Sequence, residues 1–307
     1  MSSALEAAYD EYREALLASR LLFDTGVPGV YGRSGIFEDT IDRLNRLVTR
    51  FGAGDGAEVM HFPPILNRRF YEKSEHLKSF PQLAGIVHSF NGNDRDHQEL
   101  LRREAAGEDW SAGLPHTNVV LTPAACYPVY PTIAARGPLS EQGSVVDVLS
   151  FCFRHEPSPD PARMQMFRQR EHVRIGEPAV VQPWRDRWFE RAQQFTAQLE
   201  LPARPEVAND PFFGRAGKML AVNQRDQQLK FEIVVPVCSA EKPTAVISLN
   251  YHQDHFGLDF GIQTHRGETS HTACIGFGLE RITLALFKTH GLDRTRWPAG
   301  VLRTLEL

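Results

Sequence analysis

Phe151-Cys152-Phe153-Arg154-His155-Glu156 and, after a polar stretch broken by prolines, Phe167-Arg168-Gln169-Arg170-Glu171 are the segments whose reading decides the fold. Side chains alternate across a strand, so Cys152, Arg154 and Glu156 share one face of the first segment and Phe151 and Phe153 the other. If the chain returns as a second strand after residues 157–166, then Phe167, Gln169 and Glu171 share a face too. A hairpin of this kind carries an arginine, two carboxylates and an aromatic ring towards one cleft. On period alone, an amphipathic surface hairpin laced with ion pairs has the same pattern.

Outward from the hairpin, β-rich runs at 119–122, 145–153, 173–175, 231–237 and 244–250 are separated by turns rich in Pro, Gly and Asp. Apolar residues at helical spacing (Leu5, Tyr9, Tyr12, Leu16, Leu17, Leu21) predict a helix over 4–23, ended by Gly26 and Pro28. Further helices are predicted over 36–51, 184–199 and 277–289. Strands in irregular order with few alternating helices predict an α+β domain on an antiparallel sheet, not a doubly wound parallel one. Residues 1–55 read as a short N-terminal helical segment and 56–307 as the domain that carries the chemistry.

The 307 residues are 42% hydrophobic, enough to fill a sizeable core, and the formal charge of -4 supplies no global positive field for nucleic acid. No apolar run approaches the roughly eighteen residues of a membrane span, and the acidic first ten residues do not resemble a secretory signal. A soluble cytoplasmic protein is expected. The cysteines Cys126, Cys152, Cys238 and Cys274 are far apart and form no CxxC pair, so neither a disulfide scaffold nor a zinc-finger spacing is written locally. Any metal site has to be assembled by the fold.

Phe153-Arg154-His155-Glu156, a variable loop and Phe167 to Glu171 resemble motif 2 of the class II aminoacyl-tRNA synthetases. The resemblance implies a class II synthetase-like antiparallel β-sheet flanked by helices. It implies that Arg154 grips the α-phosphate of ATP, Glu156 reads the adenine amino group and Phe167 stacks on adenine, with Arg163 and Met164 in a loop over the nucleotide. A guanidinium suits the first task, because its fixed fork matches two phosphate oxygens and it stays charged at any working pH. Gly276-Phe277-Gly278-Leu279-Glu280-Arg281, about 125 residues further on, is similar to motif 3, which places Arg281 on the γ-phosphate. Alone, those glycines are also what caps an ordinary core helix. His61-Phe62-Pro63-Pro64 and Glu75-His76-Leu77-Lys78-Ser79-Phe80 are similar to motif 1 and its sequel, which in the family forms a dimer interface, so a homodimer is expected.

The likeness is strongest to seryl-tRNA synthetase and covers residues 58–307. Where ordinary seryl enzymes have a glutamate for the substrate ammonium, this chain has Cys126. With Glu171 and Cys274 it matches the three zinc ligands of the atypical seryl enzymes of methanogens and of the amino acid:carrier-protein ligases. Two thiolates and a carboxylate suit Zn²⁺ and leave a position for the amino group of a substrate; the resemblance also counts Asn250 among the substrate-binding residues. Lys230, Ala245 and Ser248 align with stretches that contact ATP and Mg²⁺. A magnesium-binding glutamate of the seryl enzymes is absent near Ala245, and Glu232 is the nearby carboxylate.

This layout, without the long N-terminal arm of bacterial seryl enzymes, resembles the amino acid:carrier-protein ligases. It implies activation of a small amino acid, glycine or alanine favoured, and its transfer to the phosphopantetheine thiol of an acidic carrier protein, with no tRNA and no membrane involved. Arg215, Lys218 and Arg225 would meet such a partner, or form an ordinary solvated face. The alternatives are a tRNA-directed seryl-type synthetase and a catalytically silent paralogue that senses amino acids.

Overall fold

Ser34 accepts a hydrogen bond from the backbone of Phe37 at 3.2 Å and so starts a long amphipathic helix, which buries Phe37, Ile41, Leu44 and Val48. In the computed structural model, which describes residues 3–307 and their side chains except those of 3, 215, 216, 220 and 223, that helix is α2 (Gly35–Gly52). It follows α1 (Ser3–Ala18) and a ribbon of β1 (Leu22–Asp24) and β2 (Tyr31–Arg33). Next come β3 (Glu58–His61), β4 (Ile65–Asn67), α3 (Arg68–Lys73), α4 (His76–Ser79), β5 (Ile86–His88), α5 (Asp94–Ala105), β6 (His116–Leu121) and α6 (Val129–Ala134). The hairpin strands are β7 (Ser144–Phe153) and β8 (Met166–Gly176), followed by α7 (Pro178–Gln198), β9 (Arg204–Val207), α8 (Gly214–Asp226), β10 (Lys230–Val235) and β11 (Thr244–Gln253). The chain closes with α9 (His255–Phe260), β12 (His271–Gly278), α10 (Leu279–His290) and α11 (Ala299–Leu305).

Among the described residues, seven strands form one sheet in the order β3-β7-β8-β12-β11-β10-β9, antiparallel except where β3 runs parallel to β7. This is the α+β architecture expected. One face is covered by α2, α7 and α10, whose Phe37, Trp188, Phe195 and Phe287 pack on Ile247, Ile275 and Phe277 of the sheet. The other carries a second apolar cluster, from Val146, Val148 and Cys152 to Tyr130, Phe256 and Phe260, beside a small sheet of order β4-β6-β5. The N-terminal helices share the first core: Tyr12 donates to the carbonyl of Leu284 at 2.6 Å, and Phe37 stacks on Phe287 with centroids 6.0 Å apart.

Charge pairing fixes how the helical layer sits on the hairpin. Glu280, 1% exposed, accepts from the Arg168 backbone at 2.6 Å, from Arg168 Nε at 2.9 Å and from Arg33 Nη1 at 3.2 Å. Arg170 reaches Asp147 on β7 and the Asn45 carbonyl on α2.

Element boundaries differ from the sequence reading where local chemistry overrides periodicity. The helix expected over 4–23 stops at Ala18, since Arg20 turns left-handed with φ 57°, and Leu22 then enters a strand. The run at 173–175 is the end of an eleven-residue strand. The helix read from Trp184 begins at Pro178, which sits in its first turn, and carries Pro183 inside it. Residues 277 and 278 still belong to β12, so the last long helix opens at Leu279.

Candidate active site

The period-2 pattern of the hairpin sorts its side chains between two environments. Arg168 and Arg170 face the helical layer, while Phe167, Gln169 and Glu171 face a cleft of about 410 Å³ on the opposite side of the sheet. Antiparallel register then brings in residues remote in sequence: Gly276 lies opposite Glu171, and Asn250 opposite Cys274. The Cys126 loop, just before α6, reaches the same point because the Ala125 amide donates to Glu171 Oε1 at 2.9 Å.

Cys126, Glu171 and Cys274 therefore converge. Their ligand atoms all lie within 4.8 Å of one another, and the three residues are 4%, 2% and 4% exposed. Asn250 Nδ2 donates to the Cys274 sulphur at 3.5 Å. Burial, reinforced by the charge of Cys274, pushes the Glu171 carboxyl up to about 7. The hydrogen bond shared by the two thiols, with burial added, pushes Cys126 up, and the same bond holds Cys274 low against burial. Three acidic groups in a dry site cannot all ionise without a cation among them. The donor set, two sulphurs and one carboxylate oxygen, fits Zn²⁺.

At the other end of the cleft, cations gather. Arg154 donates Nε to the Pro123 carbonyl at 3.1 Å and lies over the Phe167 ring, 5.5 Å from its centroid. Arg281, in the first turn of α10, donates to the carbonyls of Ala162 and Ala245 at 3.0 and 3.1 Å. Burial, with Arg163 and Arg154 adding like charge, pulls its guanidinium below the usual range. Mutually repelling cations beside one cleft are a polyanion site in waiting.

Of the residues singled out from the sequence, Cys126, Arg154, Phe167, Glu171, Lys230, Ala245, Ser248, Asn250, Cys274 and Arg281 line this one cleft. Lys230 is buried against Asp210 and lies 3.2 Å from Glu232. Glu156 and Arg163 pair with each other at 3.1 Å and do not line the cleft, and Met164 is buried in the helical-side core with Tyr12 and Leu21. Cys152 is fully buried among apolar residues. Lys218 is exposed, Arg225 bonds Asn209, and the Arg215 side chain lies outside the described residues.

Sequence reading passed over His252, Asp210 and the role of His76, all of which line the cleft. His252 was within reach, because it follows Asn250 by two residues on the same strand. Asp210 lies in an irregular segment that no periodicity marks, and its carboxylate accepts from Lys230 and, at 2.8 Å, from Gln224. His76 hydrogen-bonds Tyr127 at 2.7 Å, and burial, with Arg154 nearby, pushes its pKa down to about 3.

The fold is that of the class II aminoacyl-tRNA synthetases. Its solved neighbours include the seryl-tRNA synthetase of Methanopyrus kandleri, crystallised with an A. aeolicus tRNASec, at TM-score 0.81 and 22% identity over 96% of this chain and 60% of that one. The seryl-tRNA synthetase of Pyrococcus horikoshii complexed with ATP superposes with TM-score 0.69 at 14% identity, covering 96% of this chain and 62% of that one. More narrowly, the chain belongs to the amino acid–[acyl-carrier-protein] ligase family, and it is an enzyme. It is 47% identical over 291 residues to amino acid–[acyl-carrier-protein] ligase 1 of Bradyrhizobium diazoefficiens, covering 95% of this chain and 89% of that protein. The type-2 serine–tRNA ligase of M. kandleri is 29% identical over 201 residues, 61% of this chain and 38% of that protein. No family model matches the chain. Among the described residues no helix is long and apolar enough to cross a membrane.

Proposed function

We propose that this enzyme activates the carboxylate of a small amino acid with ATP and passes the aminoacyl group to the phosphopantetheine thiol of a carrier protein. The observation that carries the reading is the meeting of Cys126, Glu171 and Cys274 in the same cleft as Arg154, Phe167 and Arg281. An amino-group site and a triphosphate site at the two ends of one cleft would hold the two substrates that adenylate formation joins.

Arg154 takes the α-phosphate, Phe167 the adenine ring and Arg281 the departing pyrophosphate. A carboxylate oxygen of the amino acid attacks the α-phosphorus, the bond from that phosphorus to the pyrophosphate oxygen breaks, and an aminoacyl adenylate remains. The carrier's thiol then gives up its proton to solvent, its sulphur forms a bond to the acyl carbon, and the acyl–oxygen bond to AMP breaks. Positioning and charge stabilisation account for both steps, with no protein nucleophile. Cys126, Glu171 and Cys274 would hold Zn²⁺, which when bound supplies Lewis-acid capture and orientation of the amino group. Mg²⁺ accompanies the triphosphate, and Glu232, which lines the cleft, is the carboxylate we assign to it. Tyr127, His252 and Phe256 wall the thiol end of the cleft with rings, which favours a short side chain such as that of glycine or alanine. The expected homodimer belongs to this reading as well.

The test offers purified enzyme ATP, a panel of amino acids, holo-carrier protein and bulk tRNA together. Mass spectrometry of the carrier should show the gain of one aminoacyl group. Labelled tRNA with an unmodified carrier would make it a tRNA-directed enzyme, and absence of amino-acid-dependent ATP–pyrophosphate exchange would overturn the adenylate route.

A further inference from the structure

His252 sits where β11 departs from regular pairing. Up to Tyr251, which faces Ala273, β11 and β12 pair one to one, but Gln253 then faces Thr272, so His252 is an extra residue in the strand. Gln253 takes a left-handed φ of 55° to accommodate it. Bulges beside active sites commonly re-aim a side chain. Here the imidazole spans two residues of the partner strand. Its Nδ1 lies 3.0 Å from Thr272 Oγ1 and its Nε2 lies 3.6 Å from the Cys274 sulphur. The ring is held edge-on to Phe256, 4.9 Å between centroids, and Thr272 is fully buried.

The chemistry of the two ends sets the direction of this relay. A cysteine sulphur that binds a metal is an acceptor, so the nitrogen facing it has to carry the hydrogen. Nδ1 is then bare and takes the hydroxyl hydrogen of Thr272. Asn250 Nδ2, 3.5 Å from the same sulphur, supplies a second donor. Resting on the metal reading above, we propose that His252, locked in one tautomer by Thr272, is a positioning residue that donates to the Cys274 sulphur and with Asn250 fixes it as a zinc ligand. Partners of this kind orient the ligands and tune how tightly a metal is held.

The experiment compares zinc affinity, by competition with a chromogenic chelator, and the thiolate-to-cobalt charge-transfer band of the cobalt-substituted protein. The proteins are the full-length wild type and its His252→Phe, His252→Gln and Thr272→Val variants, each first shown to be folded by its thermal melt. His252→Phe keeps the ring against Phe256 but lacks the donor, and should weaken zinc binding about 10- to 100-fold and shift the band. His252→Gln places an amide hydrogen near Nε2 and should stay close to wild type, with Thr272→Val between the two. Phe binding zinc as the wild type does, while Gln fails, would make the ring a packing element and overturn the proposal. Wild-type protein that binds no zinc would sink the metal reading itself, an outcome distinct from any difference among variants.

Discussion

Replacing Glu280 should loosen the joint between the helical layer and the hairpin, and its cost can be worked from the contacts. The carboxylate accepts three hydrogen bonds, two from Arg168 and one from Arg33, and is 1% exposed. Both arginines also pair with Glu38, at 2.7 Å from Arg168 and 2.8 Å from Arg33, so removing Glu280 leaves each half neutralised rather than bare. Breaking one partner out of a buried pair costs about 3–5 kcal/mol when the other charge is left bare, so with Glu38 still in place Glu280→Ala should fall at the low end, about 3 kcal/mol. Glu280→Gln keeps the shape and one acceptor but turns an amide towards guanidinium groups, and should cost about 2–3 kcal/mol. For a chain of this size the alanine variant should melt on the order of 10 °C below wild type. Urea unfolding at pH 7.5 gives the free energies directly. Glu99→Gln, which removes a fully exposed partner of Arg102, is the control and should change nothing measurable. If Glu280→Ala unfolds like that control, the network does not hold the layers together.

His76 has a folded-state pKa of about 3 against an ordinary 6.5, so its contribution to stability is present above pH 6.5 and is lost as pH falls towards 3. That loss is on the order of 5 kcal/mol, and urea titrations across the window should show it in wild type and not in His76→Gln; parallel curves would refute the assignment. A Cβ at position 257 would land on the Ser270 carbonyl oxygen, so Gly257→Ala should displace α9 and cost about 1–3 kcal/mol, read by thermal melting. Arg154→Ala should slow ATP–pyrophosphate exchange by about 100-fold or more, and Arg154→Lys should restore it only in part because the fork is gone; an unchanged rate in either would remove Arg154 from the reaction.

The alternation at 151–171 was enough to read the hairpin and the split of its side chains, because one face of β8 is polar towards a cleft and the other is ion-paired to helices. The helix at 36–51 was legible for the same reason, its apolar stripe being sharply one-sided. β12 was not, since six of its eight residues are buried on both faces and a central strand has no period to show. α5 buries none of its residues, so no apolar spacing marks it, and only its Asn93–Asp96 capping box gives it away. The convergence of Cys126, Glu171 and Cys274 lies in cross-strand register, which no local pattern encodes, and only likeness to known enzymes placed them together. Met164 shows the opposite limit, for a loop position carried over by likeness lies in the helical-side core of the described structure.

The most direct test is anomalous diffraction at the zinc edge from a crystal of the enzyme grown with ATP and its amino acid. A single peak among Cys126, Glu171 and Cys274, with the amino group against it and the α-phosphate at Arg154, is the predicted result. A nucleotide bound in the cleft with no peak at those three residues, or a metal seated elsewhere, would contradict it.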